Sequence, residues 1–490
     1  MALPDNAKQP WPPAAWEDVY AQYALHAAWY GGDPNKLAQA YAATLSRVSA
    51  FWSRQVKAER RVTLHVPVAG DISSTSASML FSEHPRIRIP EAQEEKPDTE
   101  ARAAQARLEE IIAKAGVFSR LLEAAELCSA FGGVFLKVNW DEQLASYPIL
   151  SVADADAALP EFRHGILVAV TLWKVLAEEK SGVVWRFVER HEPGAILNGL
   201  YSGTADRLGD KQTLEARPET TGLQDVVWTG LDGLAVRYIP NIRPNRRFRA
   251  LSLGQSDYAG GEGIFEAVDE VWSSLIREIR LGQGRIMAPE SFFERDQKGE
   301  FRFDVDREAY IALNSPVSAT GAKDQITVSQ FAIRTDEHLG ALRNLLTQAF
   351  SNAGYSPQTF GLEIAGRTDS GTALRIRERK SFITTAKKAE YWRPAIEDIC
   401  EIMLIVDSKH LRSGIRSYRP AVEIQDSVQG NVDEVASSVE MLNRAQATST
   451  RTRVAMLHPE WERAQIEAEV TAIQEESGQA VPDAMQIGVA

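Results

Sequence analysis

The sequence predicts an α+β fold that is mainly helical. Apolar residues recur at the spacing of an α-helix over long stretches, most clearly at 262–281, 335–353 and 370–412. Alternating apolar and polar residues, which are typical of strands, concentrate between residues 132 and 249. At 490 residues the chain is too long for one simple core, so we expect two or more structural units.

The composition is that of an ordinary globular protein, with 44% hydrophobic and 25% charged residues. The net charge of −13 argues against a protein that grips nucleic acid phosphates, but it leaves room for one past which DNA slides. No apolar run reaches the ~18 residues of a membrane span, and residues 1–16 lack the features of a secretory signal. Cys128 and Cys400 lie in apolar helical patterns, which indicates buried thiols in a reducing compartment.

Glycine and proline mark the first boundaries of the chain. Gly31-Gly32 ends one helical pattern, and Asp33-Pro34 opens the next. The elements predicted for the first 130 residues are a helix over 16–31, a second over 33–52, a strand over 62–68, a helix capped at Asp71, an edge strand over 85–90 and, after a charged linker, helices around 108–112 and 121–127.

Strand patterns dominate the stretch up to about residue 249. The predicted strands cover 132–141, 166–173, 183–189 and 234–239. Segment 202–224 is polar and rich in turn formers, so we expect a surface excursion or a partly mobile loop there.

Two amphipathic helices, at 262–281 and 335–353, enclose a small β unit. The first is about 30 Å long, and its face opposite the apolar stripe carries Glu262, Glu266, Asp269, Glu270 and Glu278. The β unit contains a hairpin that turns at 297–299 and a strand at 326–333. To bury their apolar faces the two helices must lie side by side and antiparallel, so the β unit projects from the far end of the pair.

A loop over 354–369 separates the second of these helices from the longest one. Loops of this length are uncommon in compact domains, and Leu362 and Ile364 make this one unlike a plain linker. The helix that follows is capped by Ser370 and should be kinked at Pro394. After it we expect a strand at 421–426, helices at 432–445, 450–457 and 461–476, and a frayed tail at 477–490.

Short motifs for catalysis are missing from the sequence. It contains no GxxxxGK[ST] phosphate loop, no GxSxG elbow, no HExxH and no metal spacing of histidine with cysteine. Asp154 and Asp156 resemble a carboxylate pair, but a turn between strands explains them better. We therefore expect a protein that is not an enzyme and that needs no cofactor or metal.

A basic stretch interrupts this acidic chain. It consists of Arg367, Arg375, Arg377, Arg379, Lys380, Lys387 and Lys388. Three roles stay open for it: a solvated helix face, contact with DNA phosphates, or contact with the acidic helix of an adjacent subunit.

Four passages, in this order, carry a resemblance to a known family. They are DISSTSASMLFSEHP at 71–85, GQSDYAGGEGIFEAVDEVWSSLIREIRLGQGRI at 254–286, SPQTFGLEIAGRTDSGTALRIRERK at 356–380 and MLNRAQATSTRTRVAMLHPEWERAQIEAEVTAIQEE at 441–476. Together they resemble the portal protein of tailed bacteriophages, the head-to-tail connector of long-tailed phages. The third passage is the most specific, and segment 202–224 matches no part of that family.

The resemblance implies a ring of twelve subunits at one vertex of the capsid, through which double-stranded DNA passes during packaging and ejection without sequence-specific contacts. The implied location is the virion, after assembly in the cytoplasm of the bacterial host, with no membrane partner. The implied partners are the terminase large subunit, a head-tail adaptor and the major capsid or scaffolding protein. ATPase activity belongs to the terminase in this family, which agrees with the missing phosphate loop.

By position, the resemblance implies a portal fold with eight regions. These are an α/β wing over 1–260, a first stem helix over 261–285, a small β-containing clip over 286–334, a second stem helix over 335–353, a tunnel loop over 354–369, a long kinked helix with a wing strand over 370–429, a helical crown over 430–476 and a flexible tail over 477–490.

Candidate channel residues come from two of these regions. The tunnel loop would present Gln358, Thr359, Leu362, Glu363, Ile364, Arg367 and Thr368. The polar face of the first stem helix would line the channel with Glu262, Glu266, Asp269 and Glu270. Twelve copies of a −13 chain carry −156, so such a wall would repel DNA and limit sticking. Arg375, Arg377, Arg379 and Lys380 would contact either DNA or the next subunit.

Two other classes of protein remain as alternatives. One is a soluble cytoplasmic enzyme whose site is built from dispersed residues and leaves no short motif. The other is a monomeric structural adaptor. The mass of the assembled protein separates both from a ring.

Overall fold

The structure is a computed structural model, and it describes residues 3–4, 10–33, 35–39, 64–92, 98–281, 285–287, 294–295, 301–302, 327–329, 333–362, 371–424, 432–458, 461 and 463–476. The helices are α1 Glu17–Gly31, α2 Val68–Phe81, α3 Thr99–Lys114, α4 Val117–Phe131, α5 Glu262–Leu281, α6 Thr335–Ala353, α7 Gly371–Lys409, α8 Val432–Arg444, α9 Thr450–Leu457 and α10 Arg463–Glu476. The strands are β1 Arg86–Arg88, β2 Gly133–Asn139, β3 Ile149–Asp154, β4 Ala158–Arg163, β5 Ile166–Glu178, β6 Val184–Glu192, β7 Ala195–Thr204, β8 Arg207–Gln212, β9 Val226–Trp228, β10 Val236–Pro240, β11 Arg285–Met287, β12 Glu294–Arg295, β13 Phe301–Arg302, β14 Thr327–Ser329 and β15 Ala421–Glu423. The fold is mixed helix and sheet, in agreement with the predicted α+β class.

One hydrophobic core lies between a three-stranded sheet and the helices α3, α4 and α7. The sheet has the order β10-β2-β3, with antiparallel neighbours. Leu121 of α4, Leu136 of β2 and Trp392 of α7 belong to this core. Cys128 and Cys400 are both buried and free, as the apolar patterns predicted. The edge strand predicted at 85–90 is β1, which pairs with β15.

A separate six-stranded antiparallel sheet has the order β4-β5-β6-β7-β8, and β9 also pairs with β7. It includes part of segment 202–224. Most residues of that segment are exposed, as expected for a surface excursion, but the segment has regular structure: it contains the end of β7, all of β8 and a 3-10 turn at Leu214–Ala216. Leu208 is buried with Tyr201 and Trp11, whereas Arg207, Asp210 and Lys211 of β8 are exposed. A strand with so few apolar residues has no periodic signal to read.

The helices α5 and α6 pack side by side in antiparallel orientation, as predicted. Near the end of α5, Glu278 binds Arg334 and His338 at the start of α6. Phe265, near the start of α5, shares a core cluster with Phe350 near the end of α6. This cluster also receives residues of α1, α2 and α4, so the helix pair is anchored at that end to the rest of the body.

The β unit between α5 and α6 contains the predicted hairpin and strand. Strand β12 pairs with β13, and β14 lies within the predicted 326–333 and pairs with β11. The other residues of 286–332 lie outside the described part of the chain.

The long helix α7 has 39 residues, and Pro394 lies inside it. Pro394 is exposed, so the carbonyl that loses its amide partner lies on the solvent side. The helix ends at Lys409, slightly before the predicted Arg412. The three C-terminal helices α8, α9 and α10 agree with prediction to within about two residues, while the predicted tail at 477–490 lies outside the described residues.

Two elements near the N-terminus differ from prediction. Residues 64–67 do not form the strand predicted at 62–68, because their amides bind side chains of α5 instead of another strand: Val66 N donates to Asp269 Oδ1 at 2.8 Å and Leu64 N to Ser273 Oγ at 2.9 Å. The helix after them starts at Val68, before the predicted cap at Asp71. Of the second predicted helix, residues 35–39 are helical, and 40–52 lie outside the described residues.

Candidate functional site

The acidic residues of α5 are the first candidate, and Glu262 proves to be a structural contact. Its Oε1 accepts a hydrogen bond from Gln22 Nε2 at 2.9 Å and lies 3.3 Å from His26 Nε2. Its Oε2 accepts from the backbone amide of Gly260 at 2.8 Å. Burial raises the pKa of Glu262, but the contact with His26 and the hydrogen bonds outweigh it and lower the pKa below its usual value. Glu262 therefore ties α5 to α1.

Asp269 is buried, with 1% of its surface exposed, so its prediction as a channel-lining residue is wrong. Its carboxylate contacts His65 Nδ1 at 2.9 Å and accepts from the amide of Val66 at 2.8 Å. The sequence placed Asp269 on the polar side of α5 correctly. That side is covered here by segment 64–67, which the helical pattern of α5 could not reveal.

Glu278 makes the third contact of this kind. It accepts hydrogen bonds from the guanidinium and the amide of Arg334, and it lies 3.3 Å from His338 Nε2. The hydrogen bonds from Arg334 lower the pKa of Glu278 to about 2. Glu262, Asp269 and Glu278 thus each meet a histidine of a different element.

Only Glu266 and Glu270 remain available among the four proposed channel-lining residues of α5. Glu270 is exposed and Glu266 is partly exposed. Partial burial, followed by the charges of Glu270 and Asp269, raises the pKa of Glu266. Further along the helix the exposed charges are positive, at Arg277 and Arg280. The acidic surface of α5 is therefore confined to its first half.

The described part of the tunnel loop is packed rather than open. Residues Pro357–Phe360 form a 3-10 turn, and Phe360 stacks on Phe350 with ring centroids 3.7 Å apart. Thr359 Oγ1 lies 2.8 Å from Ser381 Oγ of α7. Leu362 packs against the core cluster that contains Phe350. Up to Leu362 the predicted loop therefore contains a 3-10 turn and packs against the body.

The other loop candidates divide by what the structure describes. Gln358 is half-buried on the turn. Glu363, Ile364, Arg367 and Thr368 lie outside the described residues. A groove of about 500 Å³ borders the turn and is lined by Asp71 and Thr75 of α2, Leu346 of α6, and Phe360 and Leu362.

The basic stretch does not act as one surface. Lys388 is buried, whereas Lys387 and Arg379 are exposed. Lys380 Nζ donates to the carbonyl oxygen of Ser351 at 2.6 Å, close to the end of α6, where a cation complements the helix dipole. For Arg375 and Arg377 the side chains lie outside the described residues, as does Arg367 entirely.

Lys388 forms a buried ion pair that the sequence did not predict. Its ammonium donates to Asp257 Oδ2 at 2.5 Å, to Ser76 Oγ at 2.7 Å and to Tyr355 Oη at 2.9 Å. Burial lowers the pKa of Lys388, but the carboxylate of Asp257 and the phenol of Tyr355 outweigh it and raise the pKa above its usual value. The ammonium therefore joins α7 to α2, to the segment before α5 and to the segment after α6.

Both carboxylate oxygens of Asp257 accept hydrogen bonds. Besides Lys388 it accepts from Ser129 Oγ at 2.6 Å and from Asn241 Nδ2 at 2.8 Å. A buried charge is tolerated when it is paired and hydrogen-bonded in this way. Lys388 occupies an apolar position in the helical pattern of α7, and this could have indicated from the sequence that its charge is buried and paired.

A cavity of about 660 Å³ lies elsewhere, between the three-stranded and the six-stranded sheet. Asp154 and Asp156 line it with Lys137 and Glu189. Asp154 ends β3 and Asp156 lies in a 3-10 turn before β4, as the turn interpretation predicted. Burial and the nearby charge of Asp156 raise the pKa of Asp154 to about 6. No residue of α5 or of the basic stretch lines this cavity.

Comparison with protein families and with curated proteins found no relative. No protein-family model matches the chain, and no curated protein matches it. In the described residues, no helix has the length and apolar character needed to cross a membrane.

Proposed function

We propose that this chain is a phage portal protein, twelve copies of which form a ring around a DNA channel at one capsid vertex. The observation that carries the proposal is the order of elements around the antiparallel pair α5 and α6. The pair encloses a β unit at one end. At the other end it continues through a packed turn into the 39-residue α7. The body with its two sheets precedes this unit and short helices follow it, as in the portal arrangement that the sequence resembles.

The charges of α5 support a channel wall of limited extent. Glu266 and Glu270 lie one helical turn apart and carry the exposed acidic charge of the helix. Twelve copies would place a ring of carboxylates there, which repels the phosphates of passing DNA and prevents tight binding. In this proposal the wall guides DNA without reading its sequence.

The other parts of the function follow from a ring in a virion. The terminase large subunit would supply the ATPase activity, and a head-tail adaptor and the major capsid or scaffolding protein would bind the outside of the ring. The ring would assemble in the host cytoplasm before it enters the virion. An enzyme with a dispersed site and a monomeric adaptor are the alternatives that a test must separate.

The mass of the purified assembly is the first test. Twelve chains of 54.2 kDa give about 650 kDa, which native mass spectrometry resolves from neighbouring ring sizes. Negative-stain images should show a ring with a central hole. Monomers in isolation and after co-expression with the neighbouring capsid and scaffolding genes would overturn the proposal and favour one of the alternatives.

The second test reverses the acidic charge on α5 that would line the channel. The double variant Glu266→Lys/Glu270→Lys should leave rings intact but slow or stall DNA packaging in the phage that encodes this chain. The control is Glu142→Lys, because Glu142 is exposed in the turn between β2 and β3. Equal packaging rates in the two variants would remove the proposed role of the acidic wall.

Charge reversal at Arg375 and Arg379 tests the basic stretch. Loss of rings would place these residues at the contact between subunits. Intact rings with defective packaging would instead place them against DNA.

A further inference from the structure

An exposed apolar strand forms one edge of the six-stranded sheet. Trp228 of β9 is 73% exposed, and its neighbours Val226 and Leu223 are also exposed. A tryptophan is seldom left in solvent on a strand, and grouped exposed apolar side chains mark interaction surfaces.

The backbone of β9 is open on the same edge. Asn198 N donates to Asp225 O and Thr229 N donates to Gly194 O, both at 2.9 Å, so residues 225 and 229 bond toward β7. In an antiparallel pair, alternate residues bond toward the partner strand. The amides of Val226 and Trp228 therefore point away from β7, as on a sheet edge that can accept another chain.

The opposite edge of the sheet carries a projecting turn. Arg163, His164, Gly165 and Ile166 connect β4 to β5, and all four are exposed, Ile166 by 70%. His164 and Gly165 both have positive φ, of 52° and 83°. These angles are those of a tight two-residue hairpin turn, so the tip is short and fixed in shape.

Both features lie at the same end of the sheet. The strand registers align Val170 of β5 with His191 of β6, then Ile196 of β7 with Val227 of β9. The tip at Ile166 lies four residues beyond Val170, about 13 Å at 3.3 Å per residue. A second copy that repeats the sheet sideways, shifted about 13 Å along the strands, would bring its tip to the β9 edge without being turned over.

The two surfaces are complementary in charge as well as in apolar character. Residues 214–232, which include β9, contain four acidic side chains and one arginine, a net charge of −3, and Lys211 of β8 lies 3.9 Å from one of these acids, Asp225. The tip presents Arg163 and His164 beside Ile166. An apolar residue flanked by basic side chains would thus meet an apolar strand flanked by acidic ones.

The geometry points to a second copy of this chain as the occupant: the β4–β5 tip of one subunit docks on the β9 edge of the next. The contact joins two different surfaces, so it is head-to-tail and generates a ring if the rotation closes. This inference rests on the proposed ring and names one of its subunit contacts.

Cysteine crosslinking tests this contact directly. Cys128 and Cys400 are buried, so an introduced cysteine is the accessible thiol among the described residues. Val226→Cys and Ile166→Cys are made on separate full-length chains, mixed during assembly and treated with a short bismaleimide. The mixture should give a crosslinked dimer, whereas each variant alone should stay uncrosslinked. Pairing Ile166→Cys with Met441→Cys is the control, since Met441 is 65% exposed on α8.

The affinity between subunits provides a second test of this contact. Trp228→Ala should raise the concentration for half-assembly about tenfold, while Met441→Ala should leave it unchanged. Arg163→Glu should also weaken assembly, and Asp225→Lys in the same chain should restore it.

The outcomes separate this contact from the proposed function. Rings without the mixed crosslink would overturn the contact and leave the ring. A mixed crosslink without closed rings would support the contact and count against the portal function. A crosslink of Val226→Cys to itself would overturn the contact in favour of symmetric pairing of two β9 edges.

Discussion

Replacing Lys388 with methionine should loosen the junction between α7 and the elements around it. The variant removes the cation from Asp257, which keeps only the hydrogen bonds from Ser129 and Asn241. Lys388 and Asp257 are both almost fully buried, with side chains 1% and 2% exposed, so the carboxylate is left as an uncompensated buried charge. Breaking a buried pair in this way costs about 3–5 kcal/mol.

Hydrogen exchange measured by mass spectrometry can detect this loss of stability locally, in the part of α7 that contains residue 388. A loss of 3–5 kcal/mol corresponds to amide exchange faster by about 10²- to 4 × 10³-fold, at about 1.4 kcal/mol per tenfold, in peptides covering 381–392. The control is Lys387→Met, because Lys387 is adjacent and exposed; its effect should stay within about 0.5 kcal/mol.

The double variant Lys388→Met/Asp257→Asn sharpens the test. Asparagine removes the uncompensated charge, so the double variant should be more stable than Lys388→Met by at least about 1 kcal/mol. The raised pKa of Lys388 means that its stabilising contribution is lost only as pH rises above the usual lysine range, so the difference in stability between the native protein and Lys388→Met should shrink only at such alkaline pH. Exchange in Lys388→Met that equals exchange in Lys387→Met would refute the reasoning.

Three other predictions concern titration and packing. Asp154→Asn should raise the free energy of unfolding by about 1–3 kcal/mol at pH 7 and by little at pH 4, since the raised pKa of about 6 means that the folded state loses stability as pH rises; urea unfolding at the two pH values checks this. The pKa of about 2 at Glu278 predicts that its contact with Arg334 persists at pH 4 and is lost as pH falls toward 2, and exchange at the start of α6 should lose that dependence in Glu278→Gln. Phe360→Ala removes the ring stacked on Phe350 and should speed limited proteolysis near the turn; Gln358→Ala, half-buried on the same turn, serves as control, and equal cleavage rates would contradict the packed turn.

The long helices could be predicted closely because their signals are local. The apolar stripes of α5 and α6 fix their extents, and Gly354, with φ of 95°, ends α6 where a left-handed residue is required. The antiparallel arrangement follows from those stripes, because each apolar face needs a partner.

The candidate site was less predictable because its contacts are long-range. The pattern of α5 places Asp269 on the polar face but carries no information about segment 64–67, which covers it. Lys388 belongs to a basic run in the sequence, yet its partner Asp257 lies 131 residues away. Periodicity assigns a residue to a face of its own helix and says nothing about which other element meets that face.

The three bound carboxylates of α5 have a mechanical consequence. Glu262, Asp269 and Glu278 fasten the helix at its start, middle and end, at intervals of about 10 and 14 Å. A helix that is attached to its surroundings at three points resists bending between them. A push on the β unit beyond α5 would therefore pass along the helix into α1 and segment 64–67 as a displacement of the whole rod. The acids of α5 that bind other elements thus make the helix a stiff strut that transmits force.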